Sequence, residues 1–158
     1  DIDIAIIEFP HKIGPAVRIK DSNTVKIGNE AFAVGFPNNI DKITALSANI
    51  AGFENKGNIE LIRIDCSVNH GNSGGPLFNA EGELVGVINA KHGSLSNFLK
   101  QVQNAKSGGV MFSIGGIDPI KTIQQLIKEM QNNLNLGIGY AIPINIIKQF
   151  EEFKELVK

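Results

Sequence analysis

The sequence predicts a mainly β protein, an antiparallel sandwich or barrel, with helices in its second half. Two observations carry this prediction. Short β-branched segments separated by turn residues recur through the first ninety residues, and the apolar spacing changes to a helical period after residue 92. The chain has 158 residues, which suffices for one domain with a substantial core or for a large part of a slightly larger one.

Five segments carry the strand pattern. We predict strands over residues 2–7, 31–36, 43–50, 59–64 and 82–90. They are rich in Ile, Val, Phe and Thr, and turn residues such as Gly, Pro and Asn separate them. Strands this short at such regular spacing favour antiparallel pairing in a sandwich or a barrel.

Three segments carry the helix pattern. In residues 94–106, Ser94 is a cap and one face collects Leu95, Phe98, Leu99 and Val102. In residues 118–134, Asp118 is the cap, Pro119 takes the first helical position, and the apolar face is Ile120, Ile123, Ile127, Met130 and Leu134. A final amphipathic helix is predicted over 143–157, with Ile144, Ile147, Phe150 and Leu156 facing inward.

Composition and charge exclude several classes of function. The 15 Lys and Arg residues against 16 Asp and Glu give a net charge of -1, so we expect no nucleic acid partner. No run of roughly 18 apolar residues exists for a membrane span. The single Cys66 cannot form an internal disulfide, and no Cys/His cluster has metal-ligand spacing. We therefore expect neither a metal nor a cofactor.

The stretch "NHGNSGGPLF", residues 69–78, is the candidate site. A serine hydroxyl becomes a useful nucleophile when a base removes its proton and backbone donors hold the oxyanion that forms. Glycines around Ser73 would permit a tight exposed turn with N–H groups aimed at a substrate. The predicted oxyanion hole is Gly71, Asn72 and Ser73, with the N–H groups of Gly71 and Ser73 as donors. The alternative is an ordinary Gly/Ser/Asn hairpin loop.

These residues resemble the trypsin-like serine proteases, most closely the bacterial HtrA/Deg-type branch. The resemblance rests on "DIDIAII", "DSNTVKIGNEAFAVGFP", "ITALSANIAGF", "RIDCSVNHGNSGGPLFNAEGELVGVI" and "GIGYAIPINIIKQF". It implies the second antiparallel β-barrel of that fold with a remnant of the first, an inserted helical segment over 92–136 and a C-terminal helix. The implied domains are residues 1–19, the last strand of the first barrel and the connection, and residues 20–158, the C-terminal barrel.

The resemblance also implies a catalytic triad in which Ser73 is the nucleophile and Asp3 orients a histidine. Asp3 has a simpler alternative, the solvent-facing residue of an alternating strand. The family's histidine lies upstream of the aspartate, and His11, His70 and His92 do not fit that position. We therefore expect this chain to be a fragment lacking the general base and inactive alone, the rival being a homologue that never had the histidine.

Substrate recognition follows from the same resemblance. The floor of the primary specificity pocket maps to Ser67, with Val68 nearby and Ile138 and Tyr140 on the opposite strand. This pocket is expected to be neutral and to prefer small or medium apolar side chains. The strand that pairs with the polypeptide substrate maps to Asn89, Ala90 and Lys91, so the substrate would bind by β-augmentation.

Three function hypotheses stay open. The leading one is a serine endopeptidase acting through an acyl-enzyme. The second is a catalytically inactive trypsin-like domain that binds peptides or proteins in the same groove. The third is a structural β domain whose helical insertion mediates association. Self-association into a homo-oligomer would bury the interface left open by a missing barrel. The resemblance alone suggests a bacterial periplasmic or secreted location, and the signal region is not visible.

Overall fold

Six antiparallel strands form a closed β-barrel. The computed structural model describes residues 3–11, 14–37, 40–69, 71–91, 118–133 and 137–156. The strands are β1 (Glu30–Gly35), β2 (Thr44–Lys56), β3 (Ile59–Ile64), β4 (Pro76–Asn79), β5 (Leu84–Lys91) and β6 (Gly139–Pro143). Their order around the barrel is β1-β2-β3-β6-β5-β4, with β4 pairing back to β1. The predicted mainly β barrel is confirmed.

Strand register places three strand ends at one end of the barrel. Gly35, the last residue of β1, pairs with Thr44, the first residue of β2. Pro76, the first residue of β4, pairs with Val87 of β5. The loop that contains Ser73 enters β4, so it lies beside the end of β1 and the second half of β5.

The barrel interior is filled by small and medium apolar side chains. In β1 the side chains alternate, so that Ala31 and Ala33 are buried while Phe32 and Val34 are only half-buried. The buried cluster inside the barrel also contains Ile50, Ile62, Ile64, Cys66, Val68, Leu77, Val85, Ile88 and Ala141. These groups are closely packed beneath the strand ends that border the Ser73 loop.

A second apolar cluster lies outside the barrel. Tyr140 and Ile142 of β6 join Leu61 of β3 and two residues of helix α2 (Ile144–Ile147) in this cluster. Helix α3 (Glu151–Leu156) follows, and Phe153 packs against the same cluster. The C-terminal segment is thereby fixed to the outer face of β3 and β6.

The chain divides into two compact units. One contains residues 1–92 with 137–158, and the other contains residues 93–136. The described part of the second unit is helix α1 (Pro119–Asn133), in which Ile127 is buried while Ile120 and Ile123 are exposed. The Asp118 carboxylate accepts hydrogen bonds from the N–H groups of Ile120 at 3.0 Å and Lys121 at 3.3 Å, which confirms the predicted cap.

Several predicted elements need correction. Residues 3–7 form no strand, because β-branched residues favour an extended chain but a strand also requires a partner strand. Strand β4 was not predicted. The single C-terminal helix predicted over 143–157 is two short helices, and Phe150 between them is 37% exposed rather than inward. The helix predicted over 94–106 lies outside the described residues, and the division at residue 19 stays a prediction.

Candidate active site

The Ser73 loop is a compact turn held by its own backbone. The N–H of Asn72 donates to the carbonyl of Asn69 at 3.1 Å, and the N–H of Gly75 donates to the carbonyl of Asn72 at 3.0 Å. Gly71 and Gly74 have φ values of 92° and 83°, in the left-handed region that glycine adopts without strain. The turn leaves Ser73 exposed at the surface.

Strand β5 fixes one flank of this loop. The N–H of Gly74 donates to the carbonyl of Ile88 at 2.7 Å, and the N–H of Ile88 donates to the carbonyl of Gly75 at 2.8 Å. These two bonds position Ser73 directly beside the point where residues 89–91 begin. The predicted nucleophile and the predicted substrate-pairing strand are therefore neighbours.

The end of β1 fixes the opposite flank. The N–H of Phe36 donates to the carbonyl of Gly71 at 3.1 Å. A Cβ atom on Gly71 would lie 2.0 Å from the carbonyl oxygen of Phe36, and one on Gly75 would lie 2.1 Å from that of Val34. Both contacts are with backbone, so glycine is required at both positions for the loop to approach β1 this closely.

Two backbone donors of the loop have no acceptor in the described structure. Among the described residues, no backbone carbonyl accepts a hydrogen bond from the N–H of Gly71 or of Ser73. The backbone N–H groups of a nucleophilic serine and of a residue just before it can bind a developing oxyanion when they point to the same place. Their role as oxyanion donors stays a prediction of the sequence.

The Asn72 side chain points into the protein. Asn72 is 1% exposed, and neither its Oδ1 nor its Nδ2 atom has a hydrogen-bond partner. The Oδ1 atom lies 2.7 Å from the position that a Cβ on Gly35 would occupy. A buried unpaired amide costs free energy. The direct contribution of Asn72 to the oxyanion hole would have to come through its backbone.

Asp3 and Asn89 are brought together, although 86 residues separate them. The Asn89 side-chain amide donates to the backbone carbonyl of Asp3 at 3.4 Å. Since Asn89 follows Ile88, which bonds the Ser73 loop, this contact places the predicted aspartate segment next to the predicted nucleophile. Of the three histidines, His11 is exposed, and His70 and His92 lie outside the described residues.

Among the described strands, residues 89–91, the predicted substrate-pairing segment, are paired on one side only. On one side, Ala90 pairs with Tyr140 and Lys91 pairs with Gly139 of β6. On the other side, the pairing with β4 reaches no further than Val87, and no described strand continues it past Ile88. Substrate binding by β-augmentation along residues 89–91 stays a prediction, and it would use this edge.

The predicted specificity pocket is partly corrected. Ser67 is exposed, whereas Val68 is 1% exposed, and its Cγ2 atom lies 2.3 Å from where a Cβ on Gly139 would sit. Val68 and Gly139 thus face each other within the barrel. The prediction that Tyr140 walls the pocket is wrong, because its side chain lies on the outer face and its hydroxyl donates to Glu54 Oε2 at 2.7 Å. The place of Ser67 as the pocket floor stays a prediction.

Two titratable groups just before the loop are structural. The carboxylate of Asp65 accepts hydrogen bonds from the backbone and side-chain N–H groups of Asn49, which lower its pKa below the ordinary 3.8. Burial raises the pKa of the Cys66 thiol to about 11, and the Asp65 charge adds to the effect. A thiol with so high a pKa is a poor nucleophile at neutral pH.

The barrel also borders two cavities of about 460 and 480 Å³. The first is lined by residues such as Lys20, Glu30 and Glu83, and the second by residues such as Phe53 and Asn145. Neither is lined by a residue of the Ser73 loop.

Comparison with known proteins decides the family. The family model of the trypsin-like peptidase domain matches residues 1–87, more than half of the chain. This chain belongs to the trypsin-like peptidase family. The predicted HtrA/Deg branch is confirmed by the relatives described next.

Three curated relatives are serine proteases by name. A probable periplasmic serine endoprotease DegP-like of Pseudomonas savastanoi pv. phaseolicola is 36% identical over 88 residues, covering 54% of this chain and 18% of the relative. A protein of the same description in Buchnera aphidicola subsp. Schizaphis graminum is 31% identical over 156 residues, covering 95% of this chain and 25% of the relative. The putative serine protease HhoA of Synechocystis is 30% identical over 159 residues, covering 90% of this chain and 40% of the relative.

Solved structures support the trypsin-like fold. The HtrA-type protease AlgW with tripeptide has a TM-score of 0.56 and 24% identity, covering 88% of this chain and 35% of that chain. The chain spans about a fifth to two fifths of the length of these curated relatives.

Helices α1, α2 and α3 are each too short or too polar to traverse a lipid bilayer, so the described residues contain no membrane-spanning helix.

Sequence reasoning missed the part of the trypsin-like site that β1 contributes. Gly35 and Phe36 contact the Ser73 loop, but the sequence alone indicated only the end of a strand. The available signal was the glycine followed by Phe-Pro at that point, since a glycine at the end of a strand often marks close backbone approach.

Proposed function

We propose that this chain carries the nucleophile and the substrate strand of a serine endopeptidase that cleaves polypeptides through an acyl-enzyme. One observation carries the proposal: the Ser73 loop is bonded to β5 on one side and to β1 on the other, the serine is exposed, and no described backbone carbonyl accepts a hydrogen bond from the N–H of Gly71 or of Ser73. The names of the curated relatives support the same chemistry.

The reaction begins with attack of the Ser73 hydroxyl oxygen on the scissile carbonyl carbon. A histidine takes the hydroxyl proton, and the carbonyl oxygen becomes an oxyanion that accepts hydrogen bonds from the N–H groups of Gly71 and Ser73. The C–N bond then breaks, the histidine returns the proton to the leaving amine, and an ester to Ser73 remains. Water, deprotonated by the same histidine, hydrolyses that ester and restores the serine.

The histidine is proposed to lie in sequence outside these 158 residues. None of His11, His70 and His92 matches the family's position for the base. The much greater length of the relatives leaves room for such a segment. Asp3 would accept the imidazole N–H and fix its tautomer, and its bond to Asn89 supports that placement.

The acyl side of the substrate is proposed to pair with residues 89–91 as an extended strand. The side chain before the scissile bond would enter the space near Ser67, Val68 and Gly139. Ser67, Val68 and Gly139 carry no charge, so this proposed pocket is expected to be neutral and to prefer small or medium apolar side chains. A periplasmic location is proposed from the names of the relatives alone.

Labelling by a fluorophosphonate probe tests the proposal. The 158-residue chain is compared with the same chain extended by its native upstream sequence, each with a Ser73→Ala control. Labelling of the extended chain that Ser73→Ala abolishes and Asp3→Asn slows is the expected result. Silence from both chains would reject the endopeptidase and favour the peptide-binding alternative.

A further inference from the structure

Three large apolar side chains are exposed on the connection between β1 and β2. Phe36 is 51% exposed, Ile40 is 49% exposed and Ile43 is 69% exposed. We call these three residues the β1–β2 rim. Single exposed apolar residues are ordinary, but three of this size within eight residues beside a candidate site indicate a binding surface.

The β1–β2 rim is bonded to the Ser73 loop. The N–H of Phe36 donates to the carbonyl of Gly71, one of the two proposed oxyanion residues. In the same connection, the N–H of Ile40 donates to the carbonyl of Pro37 at 3.0 Å. Phe36 is therefore held at a fixed position relative to the proposed oxyanion hole.

The direction of an extended substrate follows from the two flanks of the loop. Residues 89–91 of β5 lie on one side of Ser73, and Phe36 lies on the other, beyond Gly71. An extended chain advances roughly 3.3 Å per residue. A peptide whose acyl side pairs with β5 would thus cross Ser73 toward the β1–β2 rim.

We propose that the β1–β2 rim binds the leaving-group side of the substrate and selects an apolar side chain there. This inference rests on the proposed endopeptidase function. Asp41 and Lys42, both exposed between Ile40 and Ile43, carry opposite charges. The connection between β1 and β2 therefore has no net charge to favour an acidic or basic side chain, so apolar contact with the rim would set the preference.

Partition of the acyl-enzyme measures this preference directly. The chain extended by its upstream sequence is acylated with a peptide ester, and leucinamide or glycinamide competes with water for the ester of Ser73. We expect Phe36→Ser to lower the leucinamide-to-glycinamide product ratio about fivefold to tenfold, the effect of losing partial burial of one apolar side chain. The ratio is internal, so a change in acylation rate cancels.

Ile27→Ser is the matched control, because Ile27 is also apolar and exposed, at 67%, but belongs to the turn before β1. It should leave the ratio unchanged. An unchanged ratio in Phe36→Ser would overturn the proposal. A shift in oligomeric state with the ratio unchanged would instead identify a second copy of the chain as the occupant of the rim.

A binding experiment separates this proposal from the proposed function. A peptide with Leu after its scissile bond is titrated onto Ser73→Ala protein, and onto Ser73→Ala/Phe36→Ser protein. We expect a severalfold weaker affinity in the double variant for this peptide, and equal affinities for the Gly counterpart. If the extended chain hydrolyses no ester but the Leu and Gly peptides bind as expected, the endopeptidase proposal is rejected and the rim proposal is kept. Equal affinities for the Leu peptide would reject the rim proposal.

Discussion

Ser22 and Asn145 exchange two hydrogen bonds of 3.3 Å, from the Ser22 N–H to the Asn145 side-chain oxygen and from the Asn145 N–H to the Ser22 hydroxyl. The Asn145 amide also donates to the Asp21 carboxylate at 2.6 Å. Residues 123 positions apart in the sequence are thereby linked. The segment before β1 and helix α2 are stabilised as one unit.

Asn145→Ala should lower the free energy of unfolding by about 1–2 kcal/mol, since it removes the side-chain bonds to Ser22 and Asp21. Urea denaturation followed by circular dichroism measures the change. Asn23→Ala is the control, because the backbone N–H of Asn23, rather than its side chain, bonds Asp21. Equal losses in the two variants would contradict a specific role for Asn145.

The same contact predicts a dependence on pH. Hydrogen bonds, first from Asn145 and then from the Asn23 N–H, lower the pKa of Asp21 below the ordinary 3.8. A carboxyl group whose pKa is lowered by folding stabilises the folded state at pH values above its unfolded-state pKa. That stability is lost as the pH falls through its folded-state pKa. The stability difference between the original protein and Asn145→Ala should therefore shrink in acid. A difference that is constant from pH 7 to pH 2 would be inconsistent with this linkage.

Gly71→Ala should destabilise the Ser73 loop and abolish probe labelling. The added methyl meets the Phe36 carbonyl oxygen at 2.0 Å and also requires a positive φ, at a cost of roughly 2 kcal/mol or more. Gly28→Ala has a similar φ of 85° but meets no atom within 4 Å, so it should cost only about 1 kcal/mol and retain labelling. Thermal unfolding and labelling of the extended chain distinguish the two substitutions.

Asn72→Asp should be the most damaging change at the site. It places a carboxylate at a position that is 1% exposed, at a cost of roughly 3 kcal/mol or more at neutral pH. Burial raises such a carboxyl pKa, so the deficit should decrease as pH is lowered. Asn72→Ala, which removes the unpaired amide, should cost less. Urea denaturation at pH 8 and pH 5 tests both expectations, and an Asp variant as stable as the Ala variant would refute them.

Cys66 should react with thiol reagents only after the barrel opens. At pH 8 its pKa of about 11 leaves very little thiolate, and the side chain is buried. Because the folded pKa exceeds the ordinary 9.0, stability should fall as pH rises from about 9 through about 11. Alkylation with and without urea, followed by mass spectrometry, gives the rates. Rapid alkylation of the native protein would contradict the buried assignment.

Periodicity predicted the elements whose patterns are local. Strand β3 occupies the predicted residues 59–64, and the cap at Asp118 begins a helix as expected. Strand β4 was missed because its four residues directly follow the glycine-rich loop and begin with proline, which ordinarily argues against a strand interior. The interruption at Lys148–Phe150 carries no Gly or Pro, so nothing local indicated it.

The candidate site depends on contacts that local patterns cannot specify. Family resemblance, not periodicity, associated Asp3 with Ser73, and the bond from Asn89 to Asp3 spans 86 residues. The approach of Phe36 to Gly71 and the inward turn of Asn72 depend on how strand ends meet in the closed barrel. The placement of Tyr140 was wrong because β6 contributes alternate residues to two apolar clusters. Since both faces of the strand are apolar, the sequence pattern does not indicate which face points into the barrel.

Alternate residues of the five-residue strand β6 pack on opposite sides of the sheet. Gly139 and Ala141 face Val68 and the barrel interior, while Tyr140 and Ile142 anchor the C-terminal helices outside. Mutation at odd-numbered positions can therefore change the packing of the barrel interior without loosening the C-terminal helices, and the reverse holds at even-numbered positions. The filling of the barrel and the attachment of the C-terminal segment can therefore change independently, although the residues that control them are encoded by adjacent codons.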